Sequence, residues 1–304
     1  MSHVLFIVVC CIWGMSFLLM KQGLAVFGPA TVGAGRVLFG ALVMAALWRM
    51  QRKAWPLRKR DIAPLLFITL VGSAIPFVVQ PHIIRIVEAH SNHGSSFAGL
   101  LVSLVPLLTI LVSMPMLGVF PTVRQLIGIV GGLAGMLYLF GGELDKGVEV
   151  GDLMMASLTP IGYAVATTYI KRRFADVPTT ALVATTLGLA VLMLLPFATA
   201  LISTGIEPIK TDGPVVGAAC AVIVLGVVCT ALATLLFYTM IQHEGPLFAS
   251  MVSYIIPTVA MIAGALTGEQ ITGRQVAVLA FIFVMVAVTQ IRPRPVVAAA
   301  PRDD

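Results

Sequence analysis

Charge is what this chain lacks. Of its 304 residues, 11% are Asp, Glu, Lys or Arg, whereas 59% are hydrophobic. A soluble domain carries about 25% charged residues, so the supply here is too small to coat an ordinary water-facing surface. Cysteine is scarce as well. Cys10, Cys11, Cys220 and Cys229 are the four, with no Cys-x-x-Cys pair and no histidine cluster at ligand spacing. All four fall within apolar runs and read as small core residues. No cofactor or metal site is expected. No Gly-x-x-x-x-Gly-Lys-Ser/Thr stretch occurs, which argues against a built-in ATPase. Basic residues do not interleave with aromatics, so the net charge of +6 does not describe a nucleic-acid surface.

Long apolar runs are what the chain has. A helix needs about 20 residues to cross a bilayer core. Ten such runs can be marked, near 3–20, 29–48, 62–84, 95–116, 123–141, 152–170, 178–202, 213–241, 246–267 and 274–291. They are apolar all round, unlike the alternating strands of outer-membrane barrels. The first run has no basic n-region and no small-residue cleavage site before Lys21, so it reads as a span rather than a cleaved signal. The expected fold is an all-α integral membrane protein. With the N-terminus inside, thirteen Lys and Arg fall in inside loops and five outside, while Arg36 lies within a span. Cytoplasmic loops carry the basic excess. Both termini, including a tail over 292–304, are therefore expected in the cytoplasm of a cell with this chain in its inner or plasma membrane. The acidic loop Glu143–Asp152 then falls outside.

The chain also repeats itself. Residues 94–106, GSSFAGLLVSLVP, and 245–257, GPLFASMVSYIIP, share Gly, Phe-Ala and the final Pro at a shift of 151. Arg124-Gln125 matches Arg274-Gln275, Trp13 matches Tyr163 and Lys21 matches Lys171, all at a shift of 150. Two halves, 3–141 and 152–291, each hold five spans. Five is odd, so the halves must be inverted in the membrane. Inverted repeats are the build of secondary transporters, with the solute site near the midplane between the halves. An intramembrane enzyme and a channel are the rival readings. The enzyme reading rests only on Ser95 and Ser96 near His93, which read better as helix-start caps.

Trp13-Gly14-Met15-Ser16-Phe17, followed by Lys21, Pro29 and Arg36, resembles the start of an EamA domain of the drug/metabolite transporter superfamily. Phe97–Pro106 and Phe248–Pro257 are similar to that family's fourth and ninth helices. Gly268-Glu269-Gln270 with Thr272 and Gln275 resembles its short connecting loop. The first copy departs from the pattern, with Gly118-Val119-Phe120-Pro121 where the family often has Gly-Glu. The resemblance implies a carrier of small metabolites or drug-like solutes, often amino acids or related compounds. The inverted halves themselves point to alternating access, with energy expected from a proton gradient or exchange, and no enzyme activity is expected.

Candidate site residues follow. Arg36 lies seven residues into its span, about 10 Å deep. A lipid-facing Arg at that depth costs a few kcal/mol. It either snorkels or caps a neighbouring helix, or it binds an anionic group. The second copy places Thr185 or a near neighbour there. Trp13, Phe17, Gln80, Tyr163 and Tyr254 are candidate lining residues for a solute, and otherwise packing residues. Arg85 and Glu88, three apart, share a helix face and are candidates for an outer gate or coupling pair, or a solvated helix end. His90, His93, Glu244 and Glu269 read as loop residues. Gly128, Gly131, Gly132 and Gly135 give a close-packing face, inside one half or in a homodimer. The expected partners are the lipid bilayer and a small solute. On this reading, a reporter fused after residue 304 should fluoresce as a cytoplasmic protein, and alkaline phosphatase fused there should be inactive.

Overall fold

Hydrocarbon offers backbone N–H and C=O groups no partner, so a segment that crosses it must close its hydrogen bonds internally. The apolar runs do so as helices. The computed structural model describes residues 2–290 except 53, 54, 119 and 121. The helices are α1 (Ser2–Leu24), α2 (Pro29–Gln51), α3 (Lys59–His90), α4 (Gly94–Leu117), α5 (Val123–Leu144), α6 (Val150–Arg173), α7 (Thr179–Ser203), α8 (Val215–Glu244), α9 (Pro246–Leu266) and α10 (Gly273–Gln290). No strand occurs among the described residues. Nine of these helices are long and apolar enough to cross a membrane; in α10 the apolar stretch is shorter, Gly273–Met285. Large side chains such as Leu42, Phe67, Leu192 and Phe197 stand exposed on the outside, as a lipid-facing belt requires.

Several helices are broken by identifiable chemistry. Pro76 lacks the N–H that would bond Gly72, and α3 widens into a π turn over Leu70–Ala74. Pro106 lacks the N–H for Val102, and α4 tightens into a 3-10 turn over Val102–Leu104. In α8 a π turn spans Leu225–Leu232 without a proline. There the Thr230 hydroxyl donates to the Leu225 carbonyl five residues back, 2.8 Å away.

Contacts at the helix ends establish the inversion. Glu207, beyond the end of α7, accepts a hydrogen bond from Ala30 N at the start of α2. At the opposite end, Thr180 at the start of α7 donates to Gln51 at the end of α2. So α2 and α7 run antiparallel, and the two halves run in opposite senses. The helices that touch across the interface come in matched sets. Exchanging the halves maps α2·α7 and α5·α10 onto themselves, α1·α9 onto α6·α4, α2·α8 onto α7·α3 and α1·α8 onto α6·α3; all these pairs pack together.

Some sequence expectations need correction. Glu143 is not a loop residue. It closes α5, with side chain 3% exposed, and accepts hydrogen bonds from His93, Lys146 and Ser91. His93 is 2% exposed and precedes α4, while His90 ends α3. Only Cys10 and Cys229 of the four cysteines are buried; Cys11 and Cys220 are exposed. Gly131 and Gly135 meet Met285 and Phe281 of α10, so this face packs within the chain between the halves. Ile291 and the tail 292–304 lie outside the described residues.

Gly14 sets the approach of α1 to α9. A Cβ there would collide with Val259, with the Ile256 carbonyl 3.2 Å away. Overpacking of this kind costs about 1–3 kcal/mol. Gly14→Val is therefore expected to lower the Tm of the purified protein clearly, while Gly188→Ala, at an open position, leaves it nearly unchanged.

Candidate functional site

A cavity of about 60 Å³ lies between the halves, room for a handful of waters. Its walls come from α1, α2, α3 and α4 of the first half and α6, α8 and α9 of the second. Trp13, Phe17, Arg36, Gln80 and Tyr163 line it; so do Ser16, Ser73, Phe77, Thr167, Thr234, Phe237, Tyr238 and Ser253. Tyr254 does not face it. Tyr254 sits in the core, while Ser253 and Ile256 of the same helix reach the cavity.

Arg36 does not snorkel. It is 2% exposed and turned inward. Its Nε donates to Thr230 Oγ1 at 3.0 Å, its Nη1 meets Met20 Sδ at 3.6 Å, and its Cζ lies 4.0 Å from the centroid of the Phe77 ring. Among the described residues no carboxylate pairs with it, and its hydrogen bonds run from Nε and Nη1, not from Nη2. The π turn of α8 makes this seat, because it presents Thr230 toward α2. The same turn offers the Cys229 carbonyl to Trp13 Nε1 at 2.9 Å. Trp13 also stacks on Phe237 with centroids 4.7 Å apart. On the α3 side the other π turn brings Gly72 and Ser73 to the wall. Tyr163 and Gln80 face the same cavity.

The lining follows the repeat in part. Trp13 and Tyr163, Ser16 and Ala166, and Phe17 and Thr167 are equivalent at the shift of 150, and all face the cavity. Val102 and Ser253, and Val105 and Ile256, are equivalent at the shift of 151 and also face it; elsewhere the equivalence fails on both sides, since Arg36, Phe77 and Gln80 line the cavity and their counterparts Thr186, Val227 and Thr230 do not. Ile170, Thr234, Phe237 and Tyr238 line the cavity; their counterparts Met20, Ile84, Val87 and Glu88 do not. Ile170, Thr234, Phe237 and Tyr238 carry the cavity toward the end of the molecule where α6 and α8 finish, and ion pairs close the end where α1 and α3 finish.

The closed end holds a charge cluster. Glu88 does not pair with Arg85, which is exposed. Instead Lys21 Nζ reaches Glu88 Oε1 at 2.8 Å and Glu269 Oε1 at 3.0 Å, and Glu88 Oε2 accepts from Gly94 N at 3.0 Å. Glu269 lies in the α9–α10 loop, as expected, but it is 5% exposed. Its carboxylate caps α4 from across the interface. The Ser95 and Ser96 hydroxyls donate to it at 2.5 Å each, and their backbone N–H groups at 3.3 and 3.1 Å. The serines thus bind the cap rather than act as caps, and the helix dipole adds to the attraction. At the other end the equivalent lysine, Lys171, donates to the Gln242 carbonyl at 2.6 Å. Residues 113–124 of the first copy, SMPMLGVFPTVR, contain no acid to match Glu269.

Sequence reasoning missed Phe77, Thr230, Phe237 and Tyr238, and it missed the joining of Lys21 to Glu88 and Glu269. Phe77, Thr230 and Phe237 are ordinary apolar or small polar residues in apolar runs, with no local signal. The lysine's role was signalled only by its repeat position.

A helical interface of inverted halves around a buried, partly polar cavity defines a multi-pass membrane transporter architecture. The profile of the EamA-like transporter family matches twice, over residues 1–141 and 151–290, and the chain belongs to that family. It is 28% identical over 300 residues to the uncharacterized inner membrane transporter YedA of Escherichia coli (strain K12), covering 96% of this chain and 93% of that protein. It is 23% identical over 268 residues to the uncharacterized transporter YoaV of Bacillus subtilis (strain 168), covering 87% and 88%. A solved structure described only as "Crystal structure of protein" superposes with TM-score 0.67 at 20% identity over 97% of this chain and 98% of that one, which supports the fold.

Burial pushes the Glu269 carboxyl up. The Ser95 and Ser96 hydroxyls and the Lys21 ammonium more than offset this and hold it below its ordinary value of 4.5. A carboxyl depressed in the folded state stabilises fully above its unfolded pKa, and that stability is lost as pH falls through the folded one. Wild-type Tm should therefore hold from neutral pH down to about pH 4.5 with respect to this group and fall below it. Glu269→Gln should start lower at neutral pH, by about 3 kcal/mol of unfolding free energy, and lose less on acidification.

Proposed function

We propose that this protein is a secondary carrier that moves a small anionic solute through the cavity between its halves by alternating access, with Arg36 as the solute's counter-charge. One observation carries the reading: Arg36 is a fully buried cation on the wall of an internal cavity, with part of its guanidinium uncommitted. An unpaired buried charge is costly, and an ion that binds and leaves there relieves the cost only while bound. Guanidinium suits carboxylate or phosphate through paired N–H donors.

The unequal ends of the cavity support alternating access. With both termini in the cytoplasm, the Lys21–Glu88–Glu269 cluster faces outward and the cavity extends toward the cytoplasm. Exchange of the roles of the two repeats would open the outer end and close the inner one. A cavity of about 60 Å³ is too narrow for most metabolites, so the walls must part to admit one. None of the described lining residues is acidic, so the proton gradient has no obvious carboxylate to act through within the cavity. Solute-for-solute exchange is the favoured mode, because a bound anion neutralises Arg36 in both directions of reorientation.

Counterflow in proteoliposomes tests this. Labelled anion should accumulate in vesicles preloaded with unlabelled anion. Arg36→Gln should fold and reduce exchange by about a hundredfold or more, and Arg36→Lys should recover only part, because ammonium lacks the paired donors. Unchanged exchange in a folded Arg36→Gln protein would end the proposal.

A further inference from the structure

We propose that the solute is a monoanion without an ammonium group, that is, a monocarboxylate on an apolar body. The inference rests on the reading of Arg36 as counter-charge and narrows it by counting charges. Among the described lining residues Arg36 alone is ionised at neutral pH; the others are aromatic, aliphatic, hydroxyl or amide side chains. A monocarboxylate leaves the occupied site neutral. A dianion leaves one negative charge uncompensated, and a zwitterion restores the positive charge that Arg36 brought. In a dry site either residue of charge is penalised.

An ammonium also lacks a free carboxylate among the described residues of the wall. The nearest carboxylates of the closed end, Glu88 and Glu269, are engaged by Lys21. The aromatic faces that could hold a cation are partly taken: Phe77 by Arg36 itself at 4.0 Å, and Trp13 and Phe237 by each other. Hydroxyls such as those of Ser73 and Thr234 can orient an ammonium but do not balance its charge. Phe17, Val102, Val105, Ile170 and Ile256 supply the apolar surface for the rest of the solute.

Trp13 is a built-in reporter of occupancy. The chain has three tryptophans, and Trp48 and Trp55 meet edge to face away from the cavity, with centroids 5.0 Å apart. In a Trp48→Phe/Trp55→Phe background, the full chain in nanodiscs is titrated by fluorescence with probes sharing a phenyl body: 3-phenylpropanoate, phenylalanine, phenyl phosphate, phenethylamine and 3-phenylpropanol. The expected result is that 3-phenylpropanoate binds at least about tenfold more tightly than each of the others, and that Arg36→Gln erases the difference. If phenylalanine or phenyl phosphate binds as tightly and Arg36→Gln removes that binding, the charge count is wrong and the anion site stands. If Arg36→Gln leaves all binding unchanged, both readings fall. No response to any probe at millimolar concentration, from protein shown to be folded by circular dichroism, overturns the monocarboxylate assignment.

Discussion

Five helices per repeat is the constraint from which the rest follows. Hydrocarbon permits only internally bonded segments, so the chain crosses it as helices. An odd number of crossings inverts the second copy relative to the first. Two inverted copies of one fold meet through a matched set of helices, among them α2 against α7 and α5 against α10. The space left between α1, α3, α6 and α8 is then internal by construction. Its walls come from both copies, so any change in how the copies meet changes that space.

Within this frame the two ends are chemically unlike. At one end Glu269 reaches across the interface to cap α4 and, with Glu88, holds Lys21. At the other end the matching lysine holds only a backbone carbonyl, and the first copy supplies no acid. An ion pair with four helix-start donors is a stronger closure than one lysine–carbonyl bond. Ile170, Thr234, Phe237 and Tyr238 carry the cavity away from the stronger closure.

The π turns connect the fold to the site. A regular α8 would carry Thr230 and the Cys229 carbonyl at another angle. The wide turn aims both inward, one to Arg36 and one to Trp13. In α3 the corresponding irregularity, caused by Pro76, opens the wall at Gly72 and Ser73. Backbone irregularity in a membrane is tolerated where it is buried in protein or lines a cavity, and both turns meet that condition.

The sequence by itself determined the helices, their number, the repeat and the inversion, because apolar length and period are local properties and an odd count is arithmetic. It also singled out Arg36, Trp13, Phe17, Gln80 and Tyr163, each a polar or bulky exception within an apolar run. Only the tertiary structure decided which exceptions meet. Tyr254 stands out in the sequence as clearly as Tyr163, yet helix rotation turns it into the core. Glu88 has Arg85 at helical spacing, yet Lys21 from α1 takes it. Glu269 looks like any loop acid until the fold brings Ser95 and Ser96, 174 and 173 residues away, against it. Pairings of that kind depend on the relative rotation and height of helices packed by side chains far apart in the chain, and no local pattern encodes those two quantities.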